Sequence, residues 1–269
     1  MHTLVHPVTE KELEALVSAR PHAVYITGPK GIGLTQIAKE FTDRIKATYL
    51  YLEPAESVIS VDQIRDLYQL TRGRKTKPQV IMLPGEYLTA QAQHVFLKLL
   101  EEPPANTIFL ITGHDPSALI GTVRSRMQLL TVRPISEQQS TQLIEAHSSN
   151  INAQKKAQLL FLAKGLPAEL TRILDNTAYF DDRVAQMKRA QQFILSDRYN
   201  RLVLLQVYIK NRAELQGYIH TITKLLQHDI YQKKQLSEKH IELLERLEYA
   251  SAALVYNANV KLIAAQLVL

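Results

Sequence analysis

The 269-residue chain has no cysteine, which excludes disulfide bridges and thiolate zinc sites and leaves the redox compartment open. It has no uncharged apolar run of about 18 residues, so no membrane-spanning helix is expected. Its first residues, Met1-His2-Thr3-Leu4-Val5-His6-Pro7, lack a basic stretch followed by an apolar one, so no secretory leader is expected either. The nine histidines are scattered without a ligand cluster, and no metal centre is expected. Internal repeats and low-complexity segments are also missing. These absences together predict a cytoplasmic protein with no membrane partner.

What remains is ordinary globular material, 46% hydrophobic and 22% charged, and long enough for two or three domains. The net charge is +6, and it is unevenly placed. Residues 1–182 hold 19 basic and 19 acidic side chains, whereas the stretch from Arg183 onward holds 13 basic and 7 acidic. A basic C-terminal third fits either proximity to nucleic acid or a solvated helical surface. A local cluster, Arg72, Arg74, Lys75 and Lys77, fits a solvated loop equally well.

The most informative segment is Gly28-Pro29-Lys30-Gly31-Ile32-Gly33-Leu34-Thr35. A phosphate-binding loop of the form G-x-x-x-x-G-K-[ST] requires Gly28, Gly33, a lysine at 34 and a hydroxyl at 35. Three of the four are present, and leucine replaces the lysine. An apolar run, Ala23-Val24-Tyr25-Ile26, precedes the loop, and Ile37, Ala38 and Phe41 begin a helical period after it. This is the strand–loop–helix setting that distinguishes such a loop from a chance glycine-rich turn. The missing cation is the one that reaches the β- and γ-phosphates. The N–H groups of Gly31–Thr35 and the Thr35 hydroxyl survive, which leaves room for weak ADP or ATP binding with no cofactor required. Lys30 is no obvious substitute, because it lies earlier in the loop, where intact loops also tolerate lysine.

Further strands are predicted at Tyr49–Leu52, Gln79–Leu83, Thr107–Thr112 and Gln128–Val132, and helices between them at Val61–Leu70 and Thr89–Leu100, the latter stopped by Pro103-Pro104. Thr9 followed by Glu12 reads as a capping box opening a helix over 9–19. Alternating strands and helices predict a parallel sheet covered on both faces. After Pro134 only helices are expected: Ser136–Ala146, Ala153–Ala163, Pro167–Leu174, then long ones from Arg183. Leu243, Leu244, Leu247, Ala250, Leu254 and Val255 form a wide apolar stripe, suited to a core or to packing against neighbouring subunits.

Four segments in order resemble bacterial DNA polymerase III clamp-loader AAA+ subunits, the delta-prime subunit most closely. They are the loop GPKGIGLT, the helix Ile59–Leu67, the stretch Leu88-Thr89 through Glu101-Glu102-Pro103-Pro104, and Thr122-Val123-Arg124-Ser125-Arg126-Met127. Asn257–Leu262 is similar to that family's closing collar helix. The resemblance implies an α/β AAA+ module with a parallel five-stranded P-loop sheet over 1–133, a helical lid over 134–180 and an all-α collar for oligomerisation over 181–269.

The departures from the family pattern carry the functional expectation. Leu83 and Pro84 stand at the magnesium-holding acidic positions, with Glu86 nearby but shifted, and Ala168 stands at the lid's sensor arginine. The zinc cysteines that many relatives insert before the second strand are absent. Lysine, acids and lid arginine are lost together, so no intrinsic ATPase activity is expected. Ser125 and Arg126 are retained, and the resemblance makes Arg126 an arginine finger reaching into a neighbour's ATP site; a surface ion pair is the plainer role. The degenerate nucleotide site comprises Gly28, Gly31, Gly33 and Thr35. Implied partners are gamma/tau-like ATPase and delta-like subunits, with the sliding clamp and primer–template DNA in the complex. The alternatives are an ATP-hydrolysing protein with a deviant loop served by Lys30, and a stand-alone DNA-binding protein using the basic C-terminal third.

Overall fold

The computed structural model describes residues 4–71, 77–147, 151–233, 238–256 and 258–268, and the chain divides into two compact units, Met1–Asp175 and Asn176–Leu269. Arg72, Arg74, Lys75 and Asn257, singled out above, lie outside the described residues. The expected boundary at 180/181 falls inside a helix that begins at Thr177, a few residues past this division.

The first unit opens with α1 (Pro7–Ala19), followed by β1 (Ala23–Thr27), α2 (Leu34–Arg44), β2 (Thr48–Tyr51), α3 (Val61–Thr71), β3 (Gln79–Pro84) and α4 (Ala90–Glu101). β4 (Thr107–Gly113), α5 (Gly121–Arg124) and β5 (Gln128–Thr131) complete the sheet region. The start of α1 corrects the capping-box reading. Pro7 occupies the first turn, where its fixed φ and missing N–H cost nothing, and the Nδ1 of His6 accepts from the Val8 N–H. Thr9 is therefore a buried helical residue, and its hydroxyl accepts from the Arg133 N–H at 3.1 Å, tying α1 to the end of β5.

The five strands pair in parallel in the order β2-β3-β4-β1-β5. Alternation along each strand sends side chains to two separate cores. Val24, Ile26, Val80, Met82, Ile108, Leu110 and Leu130 meet α1 and α2 through Leu13, Leu16, Ile37 and Phe41. Ala23, Tyr25, Ile81, Leu83, Phe109 and Ile111 meet α3, α4 and α5 through Ile64, Leu67, Phe96, Leu99 and Val123. Both faces are covered, and this is why the central strands are near-continuous apolar runs. The first unit ends in three helices, α6 (Glu137–His147), α7 (Ala153–Ala163) and α8 (Pro167–Asp175), close to the spans expected.

The second unit is helical among its described residues: α9 (Thr177–Leu195), α10 (Arg198–Leu205), α11 (Arg212–Lys233), α12 (Glu238–Val255) and α13 (Val260–Gln266). The stripe on α12 is turned inward, with Leu243, Leu247, Ala250 and Leu254 buried. Tyr218 of α11 stacks on Tyr208 with ring centroids 4.1 Å apart and donates to the Arg189 carbonyl at 3.0 Å; burial pushes its phenol pKa well above the ordinary value. Arg212 donates to the carbonyls of Leu254 and Ala258, satisfying acceptors at the end of α12. Gly217 is a weak point, being exposed inside α11 with open space where a Cβ would stand. Gly217→Ala is expected to stabilise the protein by about 0.5–1 kcal/mol, read as a higher urea midpoint at unchanged slope.

Candidate functional site

The glycine-rich loop leaves the carboxyl end of β1 and opens α2, with Gly31 at φ +87° and Gly33 at φ +94°. Both values lie in the left-handed region that glycine adopts without strain. Gly28 is held from two sides: a Cβ there would stand 3.0 Å from the Val132 carbonyl oxygen, and its own carbonyl lies 2.8 Å from Nδ1 of His114. Thr35 is exposed at the start of α2, and Lys30 is exposed on the loop. Leu34, at the position of the missing lysine, is 5% exposed and belongs to the core under α1 and α2, with Leu166 from the segment before α8 packed against the same cluster.

The loop is also gripped from its open side. The Glu169 N–H, in the first turn of α8, donates to the Gly31 carbonyl at 2.9 Å. A Cβ built on Gly31 would stand 2.9 Å from the Glu169 Cβ, and one built on Gly33 would stand 3.5 Å from the Ala168 Cβ. Ala168, which the family pattern puts at the sensor-arginine position, therefore contacts the loop as a methyl group. The turn that delivers α8 is fixed in turn: Gly165, at φ +74°, accepts from the Ile135 N–H at 2.8 Å.

The carboxyl end of β3 bears no paired acids. Leu83 is fully buried on the α4 face, and Pro84 ends the strand. Glu86 accepts from the His114 N–H at 2.6 Å, so its carboxylate is engaged by the end of β4. Among the described residues no group of three or more His, Asp or Glu side chains could hold a metal ion. His114, which the sequence reading did not single out, links Glu86 to the carbonyl of Gly28. Its only signal was its place just past β4, and that becomes informative once β4 is known to pair with β1.

Arg126 lies elsewhere. It follows α5, whose Val123 is buried in the α3–α4 core, whereas α2 packs on the opposite face of the sheet. The structure thus brings Ser125 and Arg126 together, and Gly28, Gly31, Gly33 and Thr35 together, as two separate groups. Ser125 donates its hydroxyl to the Thr122 carbonyl at 3.1 Å. Nη1 of Arg126 donates to the same carbonyl at 2.9 Å, and Nη2 pairs with Glu101 at 2.7 Å. The arginine remains 38% exposed.

With this geometry in hand, comparison with known proteins is specific. Residues 45–136 match the family model described as DNA polymerase III, delta subunit. The DNA polymerase III subunit delta' of Pseudomonas aeruginosa is 33% identical over 137 residues, covering 39% of this chain and 41% of its own length. Over these residues the chain is similar to DNA polymerase III delta and delta-prime subunits. A second delta' subunit, from Haemophilus influenzae, is 27% identical over 157 residues, covering 57% of this chain and 47% of its own. The chain thus spans less than half the length of the curated delta-prime relatives it matches. Among solved structures, a DNA polymerase III gamma subunit-related protein of Thermotoga maritima superposes with a TM-score of 0.63, covering 97% of both chains at 15% identity. That level of likeness speaks for the fold alone: a five-stranded parallel sheet with flanking helices, followed by a helical C-terminal part. No helix among the described residues is long and apolar enough to cross a membrane.

Proposed function

We propose that the chain is a non-catalytic, delta-prime-like subunit of a replicative clamp loader. It would assemble with gamma/tau-like ATPase and delta-like subunits through its C-terminal helices, and supply Arg126 to a neighbour's ATP site. The complex would load the sliding clamp on primed DNA. In this reading residues 1–133 are the AAA+ body, the helices from 134 the lid, and the helical remainder, which the sequence begins at 181, the collar. The observation that carries it is the exposed Arg126 within the Thr122-to-Met127 motif, on a chain whose own loop lacks the groups that drive phosphoryl transfer. Such transfer rests on positioning and electrostatic stabilisation of spreading negative charge. Here Leu34 is a core residue, Leu83 and Pro84 take the acid positions, and Ala168 offers a methyl group. The seat of α8 on Gly31 further supports a loop that serves as a structural joint.

The test begins with the purified chain, which is expected to hydrolyse ATP no faster than buffer. Leu34→Lys should restore nothing, because one cation does not replace the missing acids. Turnover abolished by Lys30→Ala would instead establish a deviant but active site. Isolation of the chain from its native cell should bring a gamma/tau-like ATPase with it; recovery alone, with tight DNA binding at physiological salt, would overturn the assignment.

A further inference from the structure

Arg126 is held by two elements at once. Glu101, the last residue of α4, pairs with Nη2, and the Thr122 carbonyl of α5 accepts from Nη1. The two side chains are 38% and 49% exposed, so the pair sits at the surface. Exposed ion pairs contribute little to stability, because solvent screens the charges and ordering two long side chains offsets the attraction. Glu101 is therefore poorly explained as a fold-stabilising residue. What the pair does accomplish is to restrict a flexible arginine to one arrangement while leaving N–H donors of its five for an incoming anion.

We propose that Glu101 is a positioning residue for Arg126, fixing the guanidinium before a neighbouring subunit presents its phosphates. The inference rests on the trans role of Arg126 proposed above and adds a residue to it. An arginine already ordered by Glu101 and Thr122 loses less freedom when it meets the transferring phosphoryl group, so the gain appears in the chemical step. Glu101 never touches the nucleotide and acts only through Arg126.

The experiment uses the full complex, assembled with Glu101→Ala, Glu101→Gln, Arg126→Ala or the Glu101→Ala/Arg126→Ala pair. Glu101→Ala is expected to lower kcat at the neighbouring site by about two- to tenfold, the scale of ordering one long side chain, at unchanged KM for ATP. Assembly and melting temperature should match wild type, and Glu101→Gln, which keeps an oxygen acceptor, should recover part of the loss. In the Arg126→Ala background the Glu101 change should add nothing. A Glu101→Ala rate equal to wild type makes the pair idle, a faster one makes it a parking contact, and a loss additive to that of Arg126→Ala makes Glu101 independent; each overturns the proposal while leaving the trans role intact. An Arg126→Ala complex that hydrolyses ATP at the wild-type rate overturns the trans role itself, and the positioning role with it.

Discussion

Arg126→Ala in the assembled complex is expected to slow ATP hydrolysis at the site it faces by about 10³-fold or more, the scale of arginines supplied in trans to other nucleotide hydrolases. In the proposed assembly the nucleotide loop, metal and water-orienting groups of that site would all belong to the neighbour, so this chain's contribution would be concentrated in one guanidinium. The loss belongs in single-turnover measurements, where the slow fraction equals the share of ATP sites this chain adjoins. The protein's own fold should be nearly indifferent, because the side chain is exposed and its ion pair with Glu101 is worth less than about 1 kcal/mol. Arg126→Lys keeps the charge but loses the planar fork of donors, and should recover only a minor part of the rate. Dissociation of the complex by Arg126→Ala, in place of slower hydrolysis, would make the residue an interface contact.

The sheet was legible because each strand is a short apolar run closed by turn residues, and the parallel class followed from their alternation with helices. The order β2-β3-β4-β1-β5 was beyond reach of such local patterns, and with it the role of His114, which bridges the ends of neighbouring strands. The start of α1 was misplaced because two opening signals compete within a few residues, Pro7 and the Thr9–Glu12 pair. The proline prevailed, since Thr9 is taken by the Arg133 N–H of a distant strand end. The need for glycine at 31 and 33 was implicit in the loop pattern. That α8 packs on them was not, since a hydrogen bond between Glu169 and Gly31 leaves no periodicity in either segment. For Arg126 the motif located the residue, but its exposure and its hold on Glu101 came only with the packing of α4 and α5.

The turn that seats α8 on the loop should be the place where a single methyl group does most damage. Gly165→Ala is expected to destabilise the first unit by about 2–4 kcal/mol, combining the penalty for a left-handed non-glycine residue with displacement of the turn. At φ +74° its new Cβ, fixed by the backbone, would stand 2.4 Å from the Ile135 backbone carbonyl oxygen, so no side-chain rotation relieves the contact. The Ile135 N–H to Gly165 carbonyl bond at 2.8 Å would be strained as well. Gly31→Ala meets the same two obstacles more gently, a φ of +87° and a 2.9 Å approach to the Glu169 Cβ, and its cost should fall to about 1–3 kcal/mol. Gly121, at the start of α5 with nothing within 4 Å of a Cβ, is the matched control, and Gly121→Ala should change stability by less than about 0.5 kcal/mol. Urea unfolding of the three variants ranks them directly. If Gly165→Ala and Gly121→Ala unfold at the same midpoint, the α8 turn is not held against Ile135.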